Sequence, residues 1–105
     1  NIMKKITVRY VYPTETETFE TYYREKHIPL VECLELLSKI EYTSIYSGPG
    51  GTKSEFFFMA ELYFEDESQM HEAMGSPEGQ AVVDDLGNFA TGGVTIMMGN
   101  TVSDW

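Results

Sequence analysis

The sequence predicts an α+β protein whose elements follow the order β-α-β-β-α-β. Four short segments are rich in β-branched and aromatic residues and are bounded by Gly, Pro or polar residues, which is typical of strands. The predicted strands are 4–12, 39–47, 55–64 and 94–98. Two longer segments repeat apolar residues at three- and four-residue spacing, which is typical of helices that bury one side.

The first strand alternates between two faces. Ile6, Val8, Tyr10 and Tyr12 share one face, and Pro13 ends the strand. The helices are expected to cover that face.

The first helix is predicted to begin at Thr14 or Thr16, because a hydroxyl there can accept a hydrogen bond from the first helical turn. It should run to about His27. Residue 28 precedes Pro29 and is therefore biased away from α geometry. A break or kink is predicted at that point, followed by a shorter helical piece over 29–37.

The second half contains a turn and two helices. Residues 48–52 form a Gly- and Pro-rich turn between the second and third strands. Asp66 or Ser68 begins a short helix that ends at Gly75. Ser76 should cap the next helix, whose exposed face is predicted to carry the Asp84-Asp85 pair.

This order predicts a ferredoxin-like βαββαβ fold: a four-stranded antiparallel sheet with helices on one face. We expect a single domain over residues 1–105. Its core should span about residues 4–99, and residues 100–105 should form a C-terminal tail.

The third strand is apolar on both faces. Phe56 and Phe58 should lie with the helices, while Phe57, Met59 and Tyr63 face away from them. A sheet with one solvated face would alternate between apolar and polar residues. We therefore expect a homodimer in which two such faces meet in a shared barrel-like core.

Composition limits the partners. The net charge of −10, from seven basic and seventeen acidic residues, opposes binding to nucleic acid and to anionic membranes. A single cysteine, Cys33, excludes an internal disulfide, so a cytoplasmic location is expected. The His and Cys residues lack zinc-ligand spacing, and no phosphate loop or dinucleotide motif is present, so neither metal nor cofactor is predicted.

His27 is the candidate catalytic residue. It borders the apolar face formed by Phe19 and Tyr23 at helical spacing. Imidazole can accept or donate a proton near neutral pH. The alternative is a histidine near a helix end that packs its ring and has no chemical role.

Tyrosines are the candidate ligand contacts. Tyr10, Tyr12, Tyr42 and Tyr46 are predicted on strand faces that look toward the helices. A cavity lined by such rings suits a flat, mostly apolar ligand. The alternative is that these rings only fill the core.

One pattern resembles a known family. Phe19, Tyr22-Tyr23, His27 and Pro29-Leu30 form F-x-x-Y-Y-x-x-x-H-x-P-L on the first helix. This pattern resembles the EthD family, named for ethyl tert-butyl ether degradation, and the resemblance extends over about residues 5–99.

The resemblance implies a dimeric α+β barrel and an enzyme without a cofactor. The implied chemistry is that of an oxidoreductase of monooxygenase type acting on a small aromatic or apolar compound, with lyase or dehydratase activity as a further possibility. A ligand-binding or accessory dimer without catalysis is the alternative. The implied catalytic residue is His27. The family pattern adds Phe19 and Tyr23 to the four strand tyrosines. The full set of predicted substrate contacts is therefore Tyr10, Tyr12, Phe19, Tyr23, Tyr42 and Tyr46.

The chain departs from the family pattern after Pro29-Leu30. Many relatives carry a basic residue soon after this pair, whereas here the segment reads Glu32-Cys33-Leu34-Glu35. This difference argues against an anionic substrate.

Overall fold

The computed structural model describes residues 2–105 and contains a four-stranded antiparallel sheet with spatial order β2-β3-β1-β4. The strands are β1 (Lys4–Val11), β2 (Lys39–Ser44), β3 (Phe56–Phe64) and β4 (Val94–Asn100). The helices are α1 (Thr16–Tyr22), α2 (Ile28–Glu32), α3 (Glu67–Gly75) and α4 (Pro77–Asp85). The predicted ferredoxin-like arrangement is confirmed. No helix within residues 2–105 has the length and apolarity needed to cross a lipid bilayer.

A π-helical turn, Tyr23–His27, joins α1 to α2. The sequence predicts a break or a kink at Ile28. A break is not found, because this residue keeps helical backbone angles and its N–H donates to the Tyr23 carbonyl five residues back; the irregularity is the wider turn itself. Pro29 has no N–H, and its ring would crowd the carbonyl four residues earlier in a regular helix. The wider turn accommodates the proline without interrupting the helix.

The predicted helical piece over 29–37 is too long. α2 ends at Glu32, and Leu36 has a left-handed backbone with φ of 68°. A non-glycine residue in that region cannot continue a right-handed helix.

Side-chain caps fix the helices of the second half. The Asp66 carboxylate accepts from the Gln69 N–H at 2.8 Å, and the Ser76 hydroxyl accepts from the Gly79 N–H at 3.1 Å. Ser76 is the predicted cap, and Asp66 is one of the two predicted positions, Asp66 or Ser68. The first helix differs, because its cap position is Glu15 rather than Thr14 or Thr16.

A β-bulge changes the predicted faces of β3. Tyr10 pairs with Phe58, but Val11 pairs with Phe56, so the register shifts by one residue between them. Phe57 therefore packs on Phe19 beneath the helices, with ring centroids 5.5 Å apart. The predicted faces of Phe56 and Phe57 are therefore exchanged. An extra residue in one strand inverts the alternation of side chains beyond it.

The sheet face opposite the helices, here called the outer face, carries a polar cluster near one end. Lys5 pairs with Glu61 at 2.9 Å, and the Tyr63 hydroxyl donates to Glu41 at 2.9 Å. The ammonium of Lys39 lies 4.5 Å from the centre of the Tyr63 ring. The outer face is therefore mixed rather than uniformly apolar.

Two core clusters lie between the helices and the sheet. One is aromatic and comprises Tyr10, Phe19, Tyr23 and Phe89. The other is mainly aliphatic and comprises Ile6, Val31, Leu34, Ala60, Leu62, Phe64, Met70, Ala73 and Val82.

We predict that Gly79→Ala lowers the free energy of unfolding by about 3 kcal/mol. A β-carbon at residue 79 would overlap the Ala73 carbonyl oxygen, so α3 and α4 would have to separate. Denaturant unfolding measures the loss. The control is Gly75→Ala, where a β-carbon meets no atom within 4 Å and the change should stay below about 1 kcal/mol. Equal effects of the two substitutions would contradict this close helix contact.

Candidate active site

His27 lies at the end of the π-helical turn, between the helices and the sheet. Its side chain is 2% exposed, and its ring centroid lies 5.1 Å from that of Tyr23 and 4.6 Å from that of Phe89. Tyr23 and His27 are four residues apart, so the same side of the helix carries both rings inward.

Asp85 is the hydrogen-bond partner of this imidazole. His27 Nδ1 lies 2.9 Å from Asp85 Oδ2. The other carboxylate oxygen, Oδ1, accepts from the Tyr22 hydroxyl at 2.6 Å and from the Asn88 amide at 2.9 Å. Three donors thus hold the carboxylate in place.

The sequence interpretation of Asp85 as part of a solvated helix face is wrong, because Asp85 is only 8% exposed. The spacing of Asp85 from its apolar neighbours in the sequence already indicated that it is buried. Asp85 falls three residues after Val82 and four before Phe89, and all three are buried. An acid on the buried stripe of a helix requires donors, and the candidates were His27 and Tyr22 on the first helix.

The environment favours a neutral imidazole and an ionised carboxylate. Burial lowers the pKa of His27, and the hydrogen bond to Asp85 offsets this only in part. Burial alone would raise the pKa of Asp85, but hydrogen bonds from Tyr22, Asn88 and His27 outweigh it and lower that pKa.

The tautomer of His27 follows from this pair. An ionised carboxylate can only accept, so Nδ1 carries the proton and donates it to Asp85. Nε2 is then an unprotonated ring nitrogen with a free electron pair. It can accept a proton from a bound compound.

A cavity of about 250 Å³ lies against His27, between the inner face of the sheet and the helices. Apart from Tyr10, Tyr23, His27 and Gln80, its lining is apolar. The apolar lining residues are Ile6, Val8, Val31, Ile40, Ala60, Leu62, Met74, Val82, Val83, Leu86, Ile96 and Met98.

Of the six predicted substrate contacts, two line the cavity and four do not. Tyr10 and Tyr23 line the cavity with His27. Phe19 is buried behind them and stacks on Tyr23, with centroids 5.6 Å apart. Tyr42 packs edge-on against Tyr23 outside the lining, and its buried hydroxyl has no partner within residues 2–105.

The remaining two tyrosines lie away from the cavity. Tyr12 follows the end of β1, where it packs on Phe57 and under the Lys53 ammonium, 4.2 Å from the ring centre. Tyr46 is 95% exposed because β2 ends at Ser44, before the predicted end at residue 47.

The buried phenols are neutral at pH 7. Burial raises the pKa of Tyr42 to about 12, and it also raises the pKa of Tyr10 and of Tyr23. The two cavity tyrosines are therefore hydrogen-bond donors rather than bases. Within residues 2–105, no group of three His, Cys, Asp or Glu side chains is arranged to hold a metal ion.

Comparison with known proteins identifies the family. Residues 12–93 match the EthD domain. The chain belongs to the EthD family. An uncharacterized 11.0 kDa protein from the thcB–thcC intergenic region of Rhodococcus erythropolis is 35% identical over 95 residues, which are 90% of this chain and 91% of that protein. The crystal structure of an EthD family protein from Bacillus halodurans has a TM-score of 0.90 and 31% identity, covering 95% of this chain and 99% of that chain. The family resemblance predicted from the sequence is confirmed.

More distant proteins share the fold. A hydroxynitrile lyase from Passiflora edulis has a TM-score of 0.77 at 8% identity, covering 100% of this chain and 97% of that chain. A cofactor-independent oxygenase from Streptomyces nogalater has a TM-score of 0.61 at 10% identity, with 99% and 94% covered. A dimeric ferredoxin-like protein from Thermobifida fusca has a TM-score of 0.68 at 10% identity, with 95% and 91% covered. Such identities show the fold alone.

We predict that the stability of this EthD family protein depends on pH through His27. The folded state keeps this imidazole neutral below its usual pKa of 6.5, whereas the unfolded chain takes up a proton there. The stabilisation is complete above pH 6.5 and is lost as pH falls through the folded-state pKa. Between pH 7.5 and pH 5, urea unfolding should show a larger loss of stability for wild type than for His27→Gln.

The matched control is His71→Gln. It removes an exposed imidazole on α3 and keeps the buried one, so it should follow the wild-type pH dependence. An equal pH dependence for wild type and His27→Gln would contradict a buried, neutral His27.

We also predict that Tyr22→Phe raises the pKa of Asp85. The substitution removes the 2.6 Å hydrogen bond that favours the ionised carboxylate. Carbon-13 NMR of the Asp85 carboxyl group measures the shift. Tyr46→Phe, which removes an exposed phenol, should leave this titration in place. An unchanged Asp85 titration in Tyr22→Phe would show that this hydrogen bond does not hold the carboxylate.

Proposed function

We propose that this EthD family protein is an enzyme that removes a proton from a small aromatic or apolar compound. His27 is the general base, and Asp85 is a positioning residue that fixes its tautomer. The observation that carries the proposal is the 2.9 Å contact from His27 Nδ1 to Asp85, at the wall of an apolar cavity. General-base catalysis requires a base that is neutral, oriented and within reach of the substrate.

Each part of the site has a task in this reaction. The apolar walls bind the hydrocarbon part of the compound, and the Tyr10 and Tyr23 hydroxyls can donate to an oxygen that gains negative charge. The proton moves to His27 Nε2, which makes the imidazole a cation. The adjacent Asp85 carboxylate stabilises this cation, as in other carboxylate–histidine pairs.

We propose oxidoreductase activity without a cofactor as the specific reaction. The deprotonated compound would pass electrons directly to O₂. Both C–H bonds of a methylene group are replaced by one C=O bond, and the second oxygen atom leaves as water. The substrate itself supplies the four electrons, so no further reductant is needed. The shared fold of the Streptomyces nogalater oxygenase supports this choice, and that of the Passiflora edulis lyase supports proton transfer more broadly.

The proposal includes a homodimer that pairs through the outer face of the sheet. That face exposes apolar side chains beside the Lys5–Glu61 pair. They belong to Phe56, Met59 and Met97. The dimeric ferredoxin-like protein from Thermobifida fusca shares the fold. The cavity opens on the other side of the sheet, so each subunit keeps its own site.

The test uses 5-nitrobenzisoxazole, a small neutral aromatic compound that reports on bases in apolar sites. Removal of its C3 proton breaks the N–O bond and releases a coloured cyanonitrophenolate, so no co-reactant is needed. Wild type should accelerate this ring opening, and His27→Ala should lose about 10²-fold or more of the acceleration. Absorbance measures the rate.

Two further variants sharpen the test. Asp85→Asn should also lose the acceleration, because an amide can donate to Nδ1 and favour the tautomer whose proton is on Nε2. His71→Ala is the control and should retain the wild-type rate. If the compound binds to wild type without ring opening, or if His27→Ala keeps the full rate, the enzyme proposal fails. Binding without turnover would favour the ligand-binding dimer instead.

A further inference from the structure

The cavity has a buried polar end and an open apolar side. His27, Tyr10 and Tyr23 are almost completely buried. On the opposite side, the exposed lining residues are Gln80, Val83, Ile96 and Met98, of which the last three are 44%, 45% and 64% exposed. The cavity therefore opens between α4 and the edge strand β4, and we call the three apolar residues there, Val83, Ile96 and Met98, the mouth.

Charge is absent from the lining. Within residues 2–105, no Lys, Arg, Asp or Glu side chain lines the cavity. Lys5 is paired with Glu61, and Arg9 lies 5.4 Å from the Phe56 ring centre, both on the outer face. An anionic or cationic group that entered would lose its hydration without gaining a counterion. The net charge of −10 further repels anions at a distance.

The size of the cavity and the chemistry of its mouth point to an elongated ligand. About 250 Å³ is below the usual range of about 300–1,000 Å³ for small-molecule sites. A compound larger than this space must project through the mouth. The three mouth side chains are apolar, so they can cover a hydrocarbon chain as it leaves.

We infer that the substrate class is neutral and elongated, with a weakly acidic C–H or O–H group at His27 and a hydrocarbon chain that passes out between Val83, Ile96 and Met98. This inference rests on the proposed function for the use of His27 as a base. The requirement for a neutral compound and the direction of its chain rest on the cavity alone.

The first experiment compares three molecules of similar size and different charge: methyl 4-ethylbenzoate, 4-ethylbenzoate and 4-ethylbenzylammonium. Nitrogen-15 NMR of the His27 ring reports binding at the site. The neutral ester should bind at least about tenfold more tightly than either ion, because each ion must be desolvated without a partner. Equal or tighter binding of an ion would overturn the neutral class.

The second experiment varies chain length in methyl 4-alkylbenzoates from ethyl to hexyl. Affinity should rise about fourfold for each methylene that is buried, the factor equivalent to about 0.8 kcal/mol, and should level off once the chain passes the mouth. Val83→Trp narrows the mouth. It should weaken binding of the hexyl ester at least about tenfold while changing that of the ethyl ester less than about twofold.

The control is Ala81→Trp, an exposed position two residues earlier on α4 that does not line the cavity. It should leave both affinities near those of wild type. If Val83→Trp affects the two esters equally, or leaves both unchanged, the chain does not leave by this route.

Failure of this inference and failure of the proposed function are separable. Binding selectivity is measured without turnover, so loss of the length or charge dependence leaves the ring-opening test untouched. Conversely, an inactive wild type that binds neutral esters with the expected length dependence would retain this inference for a carrier and would remove the enzyme.

Discussion

The hydrogen bond between His27 and Asp85 joins the two halves of the chain, and it pairs two buried polar side chains that would each be destabilising alone. An imidazole and a carboxylate that are this deeply buried each need a partner, because an unpaired buried polar group is costly. The pair satisfies both groups at once. It also determines which nitrogen of His27 is left for a ligand, so the packing requirement and the chemical capacity of the site have one origin.

The backbone around the pair holds these two side chains in register. The π-helical turn lets Pro29 remain within a continuous helix and carries Tyr23 and His27 inward together. On the other side, the close contact at Gly79 sets the position of α4, which carries Asp85 to the imidazole. Tyr22 and Asn88 donate hydrogen bonds to Asp85 Oδ1, the carboxylate oxygen that does not contact His27. A small displacement of either helix would break a contact of 2.9 Å.

The chemistry of the cavity is defined as much by its walls as by His27. The mostly apolar lining lowers the local dielectric constant around His27, which strengthens its electrostatic interaction with Asp85. Within residues 2–105, this lining contains no Lys, Arg, Asp or Glu side chain, so it offers no counterion to a charged compound. The aromatic cluster behind the imidazole supports its orientation, while the mouth beside β4 leaves one direction in which a ligand can extend. Under the proposed function, the protonation state of His27 and the class of substrate both depend on this scarcity of polar groups.

The sequence by itself determined the order of elements, the helix cap at Ser76, the family, and the helical face shared by Phe19, Tyr23 and His27. It limited the cap of the preceding helix to Asp66 or Ser68. These features depend on local periodicity and short motifs, which operate within a few residues. Only the tertiary structure decided that Asp85 is buried against His27, 58 residues away, that a bulge turns Phe57 toward the helices, and that Tyr12 and Tyr46 lie outside the cavity. The physical reason is that burial and hydrogen-bond partners depend on how distant elements pack and on where strands end or shift register. A residue's own neighbours in the sequence do not specify either.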